Sequence, residues 1–551
     1  LSPAHSPAPE VEALSWEHLV TTALLGTDRR PLPASGTAAD GPAALLDAAA
    51  LHTVRRRAGV CPAPAAPPLE VSDPDTRPPL PAAARRRLAL LLADRGGGGG
   101  GRGSAPDLTE LLPQWLALAG SLGFAAPAEL LPALLDAARA RTDLRPAALA
   151  FAGPRARWLA RLNPDWKYVL RTAVDGDPAL PPGERGAAVR RLWEEGLFAE
   201  RVALLGRLRT EDPAAALDLL AGTWRTERAE DRLMFVDSLR TGLSPADEPF
   251  LEQALADRSR NVRALAAELL SALPESALAG RMARRAATCV APDRITGPGP
   301  GIAVEAPHAC DAAMERDGVV AKPPSGRGER SWWLGQIVEA APLSTWTERF
   351  GGASPAGIVA MPVADGWQGE LHAAWCRAAV RQGDVAWSRA LLGAPGSPQA
   401  AGPGAVSLAE RARLLAALPD EERAEWVALF VAAHGLSEAF QLLGGCAVPW
   451  HGALGRAVVD ALNIARDSGS YPWSFSGVMG LAERCLDPAE ADRLESLAAA
   501  TAEPPDTRPG SGAYWVEAFQ RLVSTLRLRD EMRRELEGRE GAAEAVPRPR
   551  P

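Results

Sequence analysis

Val262, Leu265, Leu269, Leu270 and Leu273 fall at offsets 0, 3, 7, 8 and 11. With 3.6 residues per turn these positions share one face, so the spacing predicts a helix buried on one side. Pro274 stops it, because the proline ring clashes with the preceding turn and brings no N–H. Upstream, Phe250, Leu251, Ala254 and Leu255 form a second apolar face. Ser244-Pro245 opens that helix as an N-cap residue followed by proline in the first turn. Roughly 31 residues earlier the pattern returns: Leu233, Val236 and Leu239 repeat the face, Arg232 stands where Arg263 does, and Asp212-Pro213 opens the earlier helix. The unit is a helical hairpin recurring every 31 to 32 residues within 185–290. One amphipathic hairpin cannot bury its own face, so neighbours must stack to complete the core.

The stretch Ala256-Asp257-Arg258-Ser259-Arg260-Asn261-Val262-Arg263, followed by Ala266-Ala267 and Leu269-Leu270, resembles the HEAT repeat. The resemblance implies that Asp257 and Arg263 are structural and bond along the stack. From 331 to 537 helices continue without a clear period, at 331–341, 369–382, 384–392, 407–418, 420–434, 450–467, 473–485, 487–500 and 513–537. In the last, Trp515, Phe519, Leu522, Val523 and Leu526 share a face. Its end, from Arg527 to Glu540, carries five arginines and five acids and reads as a solvated helix with pairs such as Asp530 with Arg534. Period-2 alternation is nearly absent, so only Gly301–Val304 and Gly357–Val363 are expected as short strands. The expected fold is all-α: an α-solenoid of HEAT-like helical hairpins with a second, irregular helical region.

Breaks in the pattern divide the chain. Residues 61–81 hold eight prolines, residues 96–101 are six consecutive glycines, and 293–330 mixes glycine, proline and charge. The expected organisation is N-terminal helices at 1–60, a Pro/Gly-rich linker with one short helix at 61–107, and HEAT-like repeats at 108–290. A loop-rich connector at 291–330, a C-terminal helical domain at 331–540 and a disordered tail at 541–551 follow. A length of 551 residues suits two to four domains or one long repeat array. Leu1 in place of Met reads as a trimmed or fragmentary N-terminus.

Charge and composition narrow the chemistry. There are 60 basic and 68 acidic residues, a net charge of −8, and the only lysines are Lys167 and Lys322. This balance argues against a general grip on nucleic acid. No phosphate-loop motif is present, and the glycine run lacks the lysine and strand such a loop needs. His308 with Cys310, and His372 with Cys376 one helical turn apart, could supply four zinc donors. Core packing explains the second pair more simply, and His434 and His451 read as caps or satisfied core groups. No G-x-S-x-G, H-E-x-x-H or cysteine in a nucleophile context occurs. Six dispersed cysteines without a C-x-x-C pair suit reduced thiols in the cytoplasm. No secretory signal or continuous apolar span is seen, which predicts a soluble protein with no membrane partner.

Tryptophan is the unusual residue, with 16 in the chain. Trp332 and Trp333 follow a Gly/Pro-rich stretch, and adjacent rings on a helix cannot share one buried face. Trp and Arg are favoured interface anchors, so Arg330, Trp332 and Trp333 are the candidate protein-interaction residues. No catalytic, cofactor-binding or metal residue is assigned.

Several motifs together point further: Trp16-Glu17-His18-Leu19-Val20 with Leu24-Leu25-Gly26-Thr27; Arg55-Arg56-Arg57-Ala58-Gly59; Gly153-Pro154-Arg155-Ala156-Arg157-Trp158-Leu159-Ala160 with Asn163-Pro164-Asp165-Trp166; Gly328-Glu329-Arg330-Ser331-Trp332-Trp333-Leu334; and Pro342-Leu343-Ser344-Thr345-Trp346. They resemble an uncharacterised bacterial family of HEAT-like helical-repeat proteins commonly encoded beside MoxR-type AAA+ ATPases, von Willebrand A-domain proteins and SWIM zinc-finger proteins. The resemblance implies a partner role in an ATPase-driven system and transfers no catalytic residue. The expected function is a non-catalytic scaffold or adaptor that binds proteins, among them a MoxR-type ATPase and a von Willebrand A-domain protein. The alternative is a HEAT-like DNA glycosylase acting on alkylated bases, which would need a basic concave surface and aromatic residues around the lesion.

Overall fold

The computed structural model describes residues 15–32, 40–58, 71–72, 74–93, 106–172, 182–293, 300–396, 407–499 and 511–538. The fold is all-α, with 27 α-helices and two short strands among the described residues. None of these helices is long and apolar enough to cross a membrane. The chain forms two compact units, residues 1–72 and 73–551. The first holds α1 (Trp16–Leu25), capped by Ser15, and α2 (Gly41–Ala58). Trp16 packs on His52 at 6.2 Å, and Arg56 lies 5.4 Å over its ring.

The second unit begins with α3 (Ala82–Ala93), α4 (Leu108–Ser121), α5 (Leu131–Ala140), α6 (Arg145–Leu162) and α7 (Lys167–Thr172). Leu88, Trp115, Leu134 and Phe151 are the centre of their core. Gly153, at φ +65°, divides α6, and Pro154 starts its second half. Arg77 donates to the carbonyls of Ala150 and Phe151 at 2.9 Å and forks onto Asp75. A Cβ on Gly153 would sit 2.3 Å from the Arg77 guanidinium. The carbonyls freed at the kink are therefore capped by a side chain from 74–81, within the stretch expected to be a Pro/Gly-rich linker. Leu80 of the same stretch is buried in this core, and its prolines do not prevent packing in an extended path.

Next come α8 (Pro182–Glu195), α9 (Phe198–Glu211), α10 (Pro213–Thr223), α11 (Ala229–Ser238), α12 (Glu248–Ala254), α13 (Arg260–Ser271) and α14 (Ala277–Cys289). α9, α11 and α13 start 31 residues apart, and the caps Asp212, Ser244 and Ser276 stand 32 apart. Leu204, Phe235 and Ala266 are equivalent buried positions, as are Leu208, Leu239 and Leu270. Arg201 reaches Glu227 at 3.1 Å and lies 4.4 Å over Trp193. One period later, Arg232 reaches Asp257 at 3.0 Å and lies 5.5 Å over Trp224. In the third period Leu255 replaces the tryptophan, and Arg263 donates to the carbonyl of Asp257 at 2.8 Å. Arg209 and Asp247, 1% and 2% exposed, form a two-point pair at 2.8 Å between hairpins. The Pro213, Thr241 and Gly242 carbonyls accept the remaining Arg209 protons, which is the saturation a buried charge requires.

The segment 290–322 carries β1 (Val290–Asp293), β2 (Gly301–Val304) and α15 (Ala312–Arg316). The strands pair antiparallel with Val290 opposite Val304. Buried Ile302, Ala306, Met314 and Val319 join this segment to the core on either side of it. The expected strand at 357–363 is instead the end of a short helix followed by a turn: Ser354 caps α18 (Pro355–Val359), and Val363 makes a single bridge to Ile302. The Ser-Pro start signal there outweighs the β-branched content.

The remaining helices are α16 (Glu329–Ala340), α17 (Ser344–Arg349), α19 (Gln368–Gln382), α20 (Val385–Leu392), α21 (Leu408–Ala416), α22 (Asp420–His434), α23 (Leu436–Leu443), α24 (Gly452–Asp467), α25 (Ser476–Cys485), α26 (Ala491–Ala499) and α27 (Ser511–Leu536). Helices close in sequence pack together, and α27 lies along α26 and also against α3 and α4. The end of α27 is therefore not merely solvated. Met532 and Leu536 are buried in the core of α3–α7, and Arg87 of α3 pairs with Glu535 at 2.8 Å. Leu528, Met532 and Leu536 form a stripe four residues apart that the surrounding charges disguise.

Candidate functional site

The chain itself engages all three residues singled out for partner contact. The Trp332 indole N–H donates to the Val320 carbonyl at 2.7 Å, and that of Trp333 to the Ala321 carbonyl at 2.8 Å. Gln336 accepts the Val320 N–H at 2.8 Å. Arg330 donates to Glu305 at 2.7 Å and to the Ala306 carbonyl at 2.6 Å. Trp333 is buried, while Trp332 is half-buried with Arg327 5.6 Å over its ring. The adjacent rings do diverge, and both hold the segment 319–322 against α16.

The exposed aromatic surface lies elsewhere. Between α24 and α25 the chain runs Ser470-Tyr471-Pro472-Trp473, and a tight turn over Pro472–Phe475 faces Trp473 outward. Trp515 on α27 is buried and donates to the Ser470 carbonyl at 2.7 Å. Its neighbour Tyr514, about 100° round the helix, is thereby turned to solvent beside Trp473. Tyr471 stacks on Trp473 at 4.3 Å and 13°, and Trp473 meets Tyr514 edge-on at 5.3 Å and 74°. Trp473 is 57% and Tyr514 51% exposed. Beside them a hollow of about 260 Å³ has Met479 and Ala518 as its floor and Glu483 and Glu517 on its rim. Arg521 pairs with Glu483 at 2.9 Å, whereas Glu517 has no ion pair among the described residues. The hollow is aromatic, partly apolar and acidic.

A pattern of adjacent tryptophans does not mark this corner, because its rings come from separate segments. A compositional signal was available. The chain has 3 tyrosines, and two of them meet here beside a tryptophan in a Gly/Ser-rich turn.

The two His/Cys pairs are not brought together, and no group of three His, Cys, Asp or Glu among the described residues is placed to hold a metal ion. His308 is exposed beside Glu305 at 3.2 Å. His372 and Cys376 are packed in α19, where burial lowers the His372 pKa and pushes the Cys376 thiol up to about 12. Such a thiol is a poor nucleophile and a poor metal ligand. His434 contacts the Pro395 carbonyl at 3.0 Å, and His451 that of Pro449 at 2.9 Å.

A family model matches residues 18–536 and is described as a family of unknown function, DUF5691. The chain belongs to DUF5691. The match covers both compact units, so the aromatic corner and the Trp332–Trp333 staple lie inside the family's span. No curated protein and no solved structure matches the chain.

Proposed function

We propose that this DUF5691 member is a non-catalytic, HEAT-like solenoid adaptor that docks a basic segment of a partner protein at the Tyr471–Trp473–Tyr514 corner. The observation that carries this reading is the exposure of Trp473 and Tyr514 together, above a hollow with a free carboxylate. Exposed aromatic pairs are the common anchors of protein interfaces, and a guanidinium from a partner would gain both a ring face and Glu517. The 31-residue hairpins of 198–289 suit the HEAT-like description, which makes the rest of the molecule a scaffold for that corner. The resemblance to proteins encoded beside MoxR-type ATPases names the first partners to try, the ATPase and its von Willebrand A-domain companion. Arg330, Trp332 and Trp333 enter this proposal as internal supports.

The DNA-glycosylase alternative draws less support. It needs aromatic and basic residues on one concave surface, and here the exposed aromatic corner carries carboxylates. Binding of the purified chain to each of those two partners provides the test. W473A/Y514A should weaken the complex by at least about thirtyfold, the loss expected from one such anchor at about 2 kcal/mol, and by up to roughly a thousandfold where the two add. A complex of unchanged affinity overturns the corner as the anchor, and failure of both partners to bind removes the MoxR association.

A further inference from the structure

Between α13 and residues 312–322 lies a cleft of about 610 Å³, within the size range of small-ligand sites. Arg260 and Arg263 face it from α13, Arg316 from α15, and Lys322 from the following turn. Lys322 is one of two lysines in the chain. The carboxylates around the cleft do not balance these charges. Asp257 is engaged by Arg232 at 2.9 Å and by the Ser259 N–H at 2.8 Å. Asp317, with a fully buried side chain, is shared by Arg281 at 3.0 Å, Arg285 at 2.7 Å and Arg316 at 3.7 Å. Glu315 is the remaining lining carboxylate. Arg260 and Lys322 are exposed and make no ion pair among the described residues. A protein of net charge −8 thus concentrates positive charge in one concave place.

The wall carrying Arg316 and Lys322 is fixed at several points. Asp311 caps α15 by accepting the Met314 N–H at 2.7 Å. Gly318, at φ +94°, lies so close to α13 that a Cβ there would come within 2.4 Å of the Ala267 methyl. Trp332, Trp333 and Gln336 then pin residues 320 and 321. Cations held on a rigid frame lose little freedom when an anion enters. Much of the lining is alanine and glycine, which leaves room for a ligand to approach the backbone, and no aromatic side chain is present to stack on a base.

We propose that this cleft is a binding site for a linear polyphosphate chain, free or as the triphosphate of a nucleotide, recognised through its phosphates alone. The Arg260 and Arg316 guanidinium groups and the Lys322 ammonium, with the charge of Arg263 whose Nη1 already donates to the Asp257 and Arg258 carbonyls, lie on three elements and suit an extended anion with closely spaced charges. Calorimetric titration of the full chain with tripolyphosphate should show saturable one-to-one binding, with ATP within a few-fold of the same affinity. R260Q/K322Q removes two exposed cations and should weaken binding by about tenfold or more with unchanged helix content by circular dichroism. E315Q removes the lone unengaged carboxylate and should tighten binding several-fold, a gain that damage to the fold cannot imitate. Absence of saturable binding, indifference to either variant, or equal binding of citrate overturns the proposal. ATP binding more than tenfold tighter than tripolyphosphate overturns recognition by phosphate alone.

Discussion

Residues 198–289 and residues 329–536 are built from similar helices held in different ways. In the first stretch one spacing sets the frame: helix starts, buried positions and caps return after 31 to 32 residues, and the Arg201–Glu227 pair returns once, as Arg232–Asp257. In the second, helix lengths vary, and the core is held by large aromatic side chains. Trp346, Trp375 and Trp387 touch in series at 5.7 and 5.4 Å, and all three are buried. Arginine pairs persist there, as between Arg381 and Glu339 at 3.1 Å or Arg527 and Glu495 at 3.0 Å, but at unequal separations. A regular stack repeats the same directional joint, whereas an irregular one fills each gap with whatever volume fits.

The sharpest way to break this contrast is at the Arg209–Asp247 joint. D247A should cost about 3–5 kcal/mol, because it leaves the Arg209 charge buried without its counter-charge. Denaturant unfolding followed by far-ultraviolet circular dichroism measures it. R209M/D247N, which removes both charges, stays close to the original volume and keeps an oxygen to accept the Ser244 N–H, should recover most of the loss. If the double variant is as unstable as D247A, the joint acts through shape and not through charge.

A smaller loss is expected in the irregular region. W375F should cost about 2 kcal/mol, well below a tryptophan-to-alanine change, as the phenyl ring keeps most of the contact with Trp346 and Trp387. The Trp375 indole N–H is buried without a hydrogen-bond partner, so its removal also relieves a desolvated donor. A loss matching that of D247A would mean that aromatic packing here tolerates no rearrangement.

The same contrast decides what could be read from sequence. The starts Asp212-Pro213 and Ser244-Pro245 show in the sequence at nearly the 31-residue spacing that separates α9, α11 and α13, and most helices after 331 show as apolar stripes and caps. Sequence spacing shows arginine pairs within one helix, such as Arg534 with Asp530. Many instead cross to another helix, and pairing across helices leaves no fixed interval in sequence. α17, α18 and α23 were missed because helices of five to eight residues carry too few turns to show a period. Trp332 and Trp333 stand out in the sequence as neighbours, but their hydrogen bonds to residues 320 and 321 depend on a turn that only the folded chain displays. The aromatic corner combines Tyr471 and Tyr514 from segments 43 positions apart.

The smallest effect separates the two regions on the pH scale. Burial lowers the pKa of His372, beside Trp375 in the irregular region, below its usual 6.5. The folded chain therefore holds a neutral imidazole where the unfolded chain takes up a proton. The associated stability is fully present above pH 6.5 and declines as the pH falls from there through the lowered folded value. For Glu227, in the repeat region, burial works to raise the pKa, and the hydrogen bonds and charge of Arg201, with Thr223, outweigh it and leave the pKa below 4.5. Its contribution survives until the pH drops below 4.5 and is then lost. Acid titration of unfolding stability should thus show an early decline that H372Q flattens and a later one that E227Q flattens. Tryptophan fluorescence would report the first, because Trp375 lies 5.7 Å from His372. An early decline that persists in H372Q would place the first acid-sensitive group outside α19 and remove this distinction between the regions.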